Sequence, residues 1–132
     1  MKFLKTASLP ILLAAGTASA QVGPTSHSVS GPAAQEIRAG WFGVLKPNCE
    51  IGAVPEARVM EVAKNGVIKM RKATVRTNSV AQCPNAEVPA LVVFYQSNEN
   101  YRGADSFTVE VTGSSGKPSL HRFDVTVAGM VQ

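Results

Sequence analysis

The chain has 132 residues, of which 45% are hydrophobic and 17% are charged, and it contains two cysteines. This length suits one small domain. The formal charge of +4 includes two lysines that belong to a predicted export signal, so the remaining domain is close to neutral, which excludes a typical nucleic-acid-binding protein.

Residues 1–20 have the three parts of a cleavable signal peptide. Lys2 and Lys5 make its start positive, residues 9–15 form a short apolar stretch, and small side chains end at Ala20. The apolar stretch is much shorter than the roughly 20 residues that a membrane-spanning helix needs. We therefore expect cleavage after Ala20 and no stable membrane insertion, which predicts a periplasmic or secreted protein.

The next segment, residues 21–34, is small and polar and is punctuated by glycine and proline. Such a segment buries little apolar surface, so it predicts a flexible leader. The folded domain is then expected over residues 35–132. Its first strand would cover residues 35–45, with a bend at Gly40 or Gly43.

A hairpin is predicted in the middle of the chain, because Asn-Gly between two apolar runs favours a tight turn. Asn65 and Gly66 lie between the strand-like residues 57–63 and 66–75. Residues 90–96 are nearly all apolar and include β-branched and aromatic side chains. This composition predicts a strand that is buried on both faces.

Apolar and polar residues alternate strictly in the last part of the chain. Residues 107–112 and 121–127 both follow this pattern, with the glycine-containing turn 113–118 between them. They predict an antiparallel hairpin with one face in the core. No segment shows a sustained helical period, and short strands separated by turns predict an all-β sandwich.

The two cysteines, Cys49 and Cys83, lie in predicted turn or loop segments. In an exported chain, two thiols most simply form one disulfide. A redox or metal-binding pair is the alternative, but the chain has no Cys-x-x-Cys motif, and His27 and His121 are isolated in the sequence. We therefore predict a structural Cys49–Cys83 bridge.

Tyr101, Gly103, Asp105 and Phe107 form a Tyr-x-Gly-x-Asp-x-Phe pattern. Together with its surroundings, over residues 90–128, this pattern resembles bacterial immunoglobulin-like and cadherin-like domains. The resemblance implies an immunoglobulin-like antiparallel β-sandwich of about seven strands. The acidic calcium motifs of cadherins have no match in the chain, so no metal or other cofactor is expected.

The same four residues predict a structural corner on physical grounds. Gly103 can adopt a positive φ, and the Asp105 carboxylate can accept backbone N–H bonds of the turn. The Tyr101 hydroxyl would bond to nearby backbone, as in the tyrosine corner of sandwich domains. Phe107 would begin the inward-facing side of its strand.

Five cations follow one another without an intervening acidic residue: Lys64, Lys69, Arg71, Lys72 and Arg76. On a strand, Lys69 and Arg71 share one face, and Lys72 and Arg76 share the other. One interpretation is a patch for anionic glycans, lipid head groups or an acidic protein. The other, which we favour, is an edge strand that its charges protect from pairing with other chains.

Two further features are better explained by packing than by chemistry. Trp41 and Phe42 could form an exposed aromatic site, but large aromatics more often lie in the core. His121 alternates with apolar neighbours and fits a sheet residue. No nucleophile elbow or paired carboxylate is visible, so no catalytic residue is predicted.

These patterns predict a non-enzymatic, exported binding or interaction module of the bacterial envelope. Its partner would be an envelope protein or an anionic surface polymer, engaged at a sheet edge or at the basic strand. The alternative is a structural or accessory subunit of an envelope assembly, in which residues 21–34 add a strand to a neighbour. A small periplasmic enzyme or metal carrier has the least support.

Overall fold

A computed structural model describes residues 23–128, so the predicted signal peptide lies outside the described residues. Within this range there is no helix, and hence none that is long and apolar enough to span a membrane. The described chain forms seven strands: β1 Thr25–Pro32, β2 Glu36–Phe42, β3 Glu56–Glu61, β4 Gly66–Thr77, β5 Ala86–Ser97, β6 Gly103–Thr112 and β7 Pro118–Ala128.

The strands form two sheets, as the sequence predicted for a sandwich. Sheet A has the order β1-β7-β6-β3, and sheet B has the order β2-β5-β4. All neighbouring pairs are antiparallel except β1 and β7, which run parallel. The protein is thus an all-β, immunoglobulin-like sandwich whose first strand departs from the expected antiparallel arrangement.

Aromatic rings from both sheets form the centre of the core. Tyr95 of β5, Phe107 of β6 and Phe123 of β7 are each at most 1% exposed. The Phe107 ring stacks on Phe123 with centroids 4.7 Å apart, and it lies parallel to Tyr95 at 6.1 Å. Burial of each such side chain stabilises the fold by about 1.5–3 kcal/mol.

Strand β5 is the central strand of sheet B and is buried on both faces, which confirms the prediction for residues 90–96. Val93 and Tyr95 face the main core between the sheets. Ala90 and Val92 belong to a second, smaller apolar cluster. The alternation predicted for β6 and β7 is also confirmed, since they pair as an antiparallel hairpin whose buried apolar residues lie on one face. On the other face of β6, Thr108 is buried too.

The leader predicted over residues 21–34 requires correction, because Thr25–Pro32 forms strand β1. Its serines point outward, while His27 and Val29 are partly buried on the inward side. This period-2 pattern is weak because its inward positions include only one aliphatic side chain. Pairing with β7 supplies the backbone hydrogen bonds that a free leader would give to water.

The hairpin predicted at Asn65-Gly66 is wrong, because β3 and β4 belong to different sheets. The favoured Asn-Gly hairpin turn needs a positive φ at both residues, and neither residue has one. The chain instead crosses between the sheets here. The N–H groups of Lys64 and Asn65 donate to the Asp105 carboxylate at 3.1 and 3.0 Å, which fixes the crossing to β6.

The Cys49–Cys83 disulfide is confirmed, with a Cα–Cα distance of 5.6 Å. It joins the β2–β3 connection to the loop between β4 and β5. That loop is shorter than the predicted strands 66–75 and 90–96 would leave, because β4 continues to Thr77 and β5 begins at Ala86. The bend expected in the first strand is a register shift between Arg38 and Gly40.

Candidate binding face

The outward surface of sheet B brings together cations and aromatic rings from three strands. In the register of the sheet, Phe94 of β5 lies between Arg38 of β2 and Lys69 of β4. In the next row, Val92 lies between Trp41 and Arg71. Side chains that are directly opposite one another share a face, so these two rows form one surface, which we call the sheet B face.

Arg71 is held in place on the sheet B face by two contacts. Its guanidinium lies over the Phe94 ring, 4.2 Å from the ring centroid, which is close enough for a cation–π interaction. It also forms a bidentate ion pair with Glu36. Hydrogen bonding with Arg71 lowers the pKa of Glu36 and raises the pKa of Arg71, so both groups stay charged near neutral pH.

Lys69 and Arg38 supply positive charge to the sheet B face that the described residues do not balance. Both side chains are exposed, and neither forms an ion pair with any residue in the range 23–128. With Arg71 included, the face carries three cations against the one carboxylate of Glu36. The surplus leaves a positive potential at this surface.

The outward surface of sheet A differs, because its arginines are paired with carboxylates. Arg58 bonds to Glu110, and Arg122 bonds to Asp124, with both nitrogen–oxygen distances 3.0 Å. Such exposed pairs contribute little to stability, but they cancel the local charge. The excess of positive charge is therefore a property of the sheet B face and not of both outward surfaces.

The five cations that one of the two interpretations placed in a patch do not lie on one surface. Lys69 and Arg71 share the sheet B face, whereas Lys72 and Arg76 alternate to the other side of β4. Arg76 pairs with Glu87 at 3.1 Å. Lys64 lies outside the strand, in the crossing between the sheets. β4 is an edge strand, which is the position that the edge-protecting interpretation requires.

Arg38 is the member of the sheet B face that sequence reasoning missed. It is about thirty residues away from the other cations along the chain, and only the pairing of β2 with β5 brings it into their row. The exposed position of Arg38 between inward-facing neighbours can be read from the alternation in the sequence. The sequence does not show which strand lies next to β2.

Trp41 and Phe42, both predicted to be core, take different positions. Phe42 packs against the main core, and its ring meets the edge of Phe123 at 6.4 Å. Trp41 is half-buried on the opposite side of the sheet, against the small cluster of Val75, Ala90 and Val92. The indole thus adds apolar surface to the sheet B face, and the prediction of a core position holds only for Phe42.

The predicted corner residues lie at the start of β6. Gly103 has a φ of +123°, and the Tyr101 hydroxyl donates to the carbonyl of Ala104. Phe107 is 1% exposed in the core. Asp105 is 8% exposed and accepts bonds from more distant parts of the chain than a turn residue would.

Four donors converge on the Asp105 carboxylate. The N–H groups of Lys64, Asn65 and Ser106 lie 2.9–3.1 Å away, and the Tyr95 hydroxyl lies 2.7 Å away. Burial raises the pKa of Asp105, but these hydrogen bonds together lower it by more than burial raises it. The pKa therefore lies below its ordinary value. The carboxylate is therefore a structural tie between the two sheets.

His27 and His121, isolated in the sequence, are brought together by the pairing of β1 with β7. Their facing ring nitrogens are 2.9 Å apart. In residues 23–128, no group of three or more histidine, cysteine, aspartate or glutamate side chains is arranged to hold a metal ion. The two rings thus form a hydrogen-bonded pair.

Comparison of the chain with protein-family models, with curated proteins and with solved structures gave no match.

Proposed function

We propose that this protein is a non-enzymatic, exported binding module that engages an anionic surface polymer through the sheet B face. The observation that carries the proposal is the local surplus of positive charge. Arg38, Lys69 and Arg71 surround Phe94. Among the residues of the two rows and their ion-pair partners, Glu36 is the only carboxylate. A repeating polyanion fits such a face, because charge complementarity guides encounter and sets register.

The arrangement of Arg71 supports binding rather than simple solubility. Its ion pair with Glu36 and its contact with Phe94 reduce the freedom of a long side chain. A group that is already ordered loses less conformational entropy when a ligand binds. Trp41 beside it offers apolar surface to the non-charged part of a polymer repeat.

Export is part of the same proposal. The pattern of residues 1–20 predicts a cleaved signal peptide, and the Cys49–Cys83 disulfide is compatible with an oxidising compartment. A module in the periplasm or at the cell surface would meet anionic polymers there. We also retain the proposed relationship to bacterial immunoglobulin-like and cadherin-like domains, which concerns the fold and names no ligand.

The test is binding of the purified protein to dextran sulfate and to polygalacturonate, with neutral dextran as the uncharged comparison. We expect binding to both polyanions, weaker binding as salt is added, and none to neutral dextran. The double variant Arg38→Glu/Lys69→Glu should weaken binding at least about tenfold, which is about 1.4 kcal/mol.

A matched control separates the sheet B face from net charge. The double variant Arg58→Glu/Arg122→Glu changes the total charge by the same amount, but it alters the outward surface of sheet A. It should bind as the original protein does. Equal losses in the two double variants, with both folded by circular dichroism, would show attraction to overall charge and would refute a site on the sheet B face.

A further inference from the structure

The contact between His27 and His121 is a nearly linear hydrogen bond. The Nε2 atom of His27 lies 2.9 Å from Nδ1 of His121. The ring centroids are 5.2 Å apart, with 19° between the planes. Because the centroid distance exceeds the nitrogen distance by about one ring width, the two nitrogens lie between the ring centres and point at each other.

The surrounding bonds indicate which ring nitrogens carry protons. The Ser119 hydroxyl lies 3.4 Å from the carbonyl of Val111, to which it can donate, and its oxygen is 3.0 Å from Nε2 of His121. A consistent chain has His121 donating to Ser119 through Nε2. His27 then donates through its own Nε2 to the bare Nδ1 of His121.

This series of hydrogen bonds is compatible with one positive charge on the histidine pair but not with two. If His27 takes a proton on Nδ1, its Nε2–H still donates to His121. If both rings are charged, each of the two facing nitrogens carries a proton. The acceptor is then lost, and two positive rings face each other at hydrogen-bond distance, so the contact changes from attractive to repulsive.

No neighbouring carboxylate in the described chain can neutralise a second charge. The titratable side chains on the inward sides of the neighbouring strands are Lys72, Arg76, Glu87, Tyr95 and Asp105. Arg76 and Glu87 pair with each other, and Tyr95 bonds to Asp105. Asp105 is four residues along β6 from the position opposite His121, about 13 Å at 3.3 Å per residue.

Aromatic rings enclose the histidine pair on the core side. The His27 ring stacks on Phe123 with centroids 4.8 Å apart, and Phe42 meets His121 edge-on at 4.7 Å. Burial and the proximity of His27 lower the pKa of His121. In the docked state His121 therefore resists protonation more strongly than a free imidazole would.

Strand β1 has few other attachments to the core. It is an edge strand of sheet A, and its outward positions are serines. Its inward side chains besides His27 are Thr25 and Val29, followed by Gly31. Edge elements with few buried apolar contacts open with a low free energy, so a change at the histidine contact acts on a strand that can separate from the sheet without global unfolding.

We propose that the His27–His121 hydrogen bond is a pH-sensitive latch that keeps β1 paired with β7 near neutral pH and releases β1 when both rings are protonated. Release would leave the backbone groups along that edge of β7 without their partners, and an edge of this kind can pair with another strand. The latch is independent of the sheet B face, which lies on the other sheet.

The sign of the pH dependence follows from proton linkage. When β1 is released, His121 of β7 regains a pKa near the ordinary value of about 6.5, which is above its pKa in the docked state. The released state therefore binds more protons below pH 6.5, and docking weakens as the pH falls from there to the docked pKa. One additional proton shifts the opening equilibrium by up to about tenfold per pH unit.

Amide hydrogen exchange of the whole protein between pH 7.5 and pH 5.0 tests the latch. After correction for intrinsic rates, opening at the amides of His27 and Val29 should increase up to about tenfold per pH unit below 6.5. The amides of Val93 and Val109, in the central strands, should not change in parallel. Constant protection of β1 across this range, or an equal change at all four amides, would overturn the proposal.

Two further measurements keep the result specific to the histidines. In the variant His27→Gln/His121→Gln, the side chains can still hydrogen-bond but cannot titrate, so the pH dependence of β1 opening should disappear. If that variant does not fold, an NMR titration of the two imidazole rings in the original protein tests the latch instead. Successive protonation, with the second midpoint below the first, supports the latch, and independent titration of both rings near pH 6.5 refutes it.

Discussion

The Tyr95 hydroxyl of sheet B donates a 2.7 Å hydrogen bond to the Asp105 carboxylate of sheet A. Both residues are buried, at 0% and 8% exposure. The same carboxylate accepts the N–H groups of Lys64 and Asn65, where the chain crosses between the sheets. One side chain thus links a strand of each sheet to the crossing between them.

Asp105→Asn should lower the free energy of unfolding by about 1–3 kcal/mol. The amide has one accepting oxygen in place of the two carboxylate oxygens, so some of the buried donors lose their partner. Urea denaturation at pH 7 measures this change. Asp124→Asn is the matched control, since Asp124 is half-exposed and pairs with Arg122, and it should change stability by no more than about 0.5 kcal/mol. Equal effects of the two variants would contradict the role given to Asp105.

The same carboxylate should make the protein sensitive to acid. Because the pKa of Asp105 is lower in the folded protein than in the unfolded chain, its contribution is complete above pH of about 4. It is lost as the pH falls through the folded pKa. Stability measured from pH 6 to pH 2 should therefore fall more steeply for the original protein than for Asp105→Asn, and parallel curves would oppose this assignment.

Gly66→Ala should destabilise the fold by about 1–3 kcal/mol through overpacking. A Cβ at this position would lie 2.6 Å from the carbonyl oxygen of Gln96 and 2.8 Å from the Tyr95 ring. Gly113→Ala provides the control, because a Cβ there meets no atom within 4 Å and φ is not positive. It should be neutral or slightly stabilising. Thermal unfolding of both variants checks the contrast, which equal shifts in melting temperature would contradict.

Removal of the disulfide by Cys49→Ser/Cys83→Ser should lower the free energy of unfolding by about 3–4 kcal/mol, because the bridge restricts the unfolded chain. The bridge closes a loop over a sequence separation of 34. Urea denaturation of the double variant should match that of the reduced original protein. A reduced protein with an unchanged midpoint would show that the bridge does not contribute in this way.

Local patterns in the sequence were sufficient for the strands whose two sides differ in polarity. Phe107 and Val109 alternate with polar residues in β6, and a two-residue period assigns side chains to opposite faces without reference to any other strand. The failure at Asn65-Gly66 shows the limit of such local signals. A dipeptide typical of tight turns forms a crossing there, because bonds to Asp105 and close contact with Gln96 outweigh its local preference.

The sequence by itself determined an all-β domain, the two faces of its main strands and the pairing of its two cysteines. Only the tertiary structure decided which strands became neighbours. It placed Arg38 in one row with Lys69, with Phe94 between them, and it brought His27 to His121 across 94 positions of the chain. The physical reason is that alternation is a property of one strand, whereas pairing depends on how the two sheets bury their apolar faces against each other.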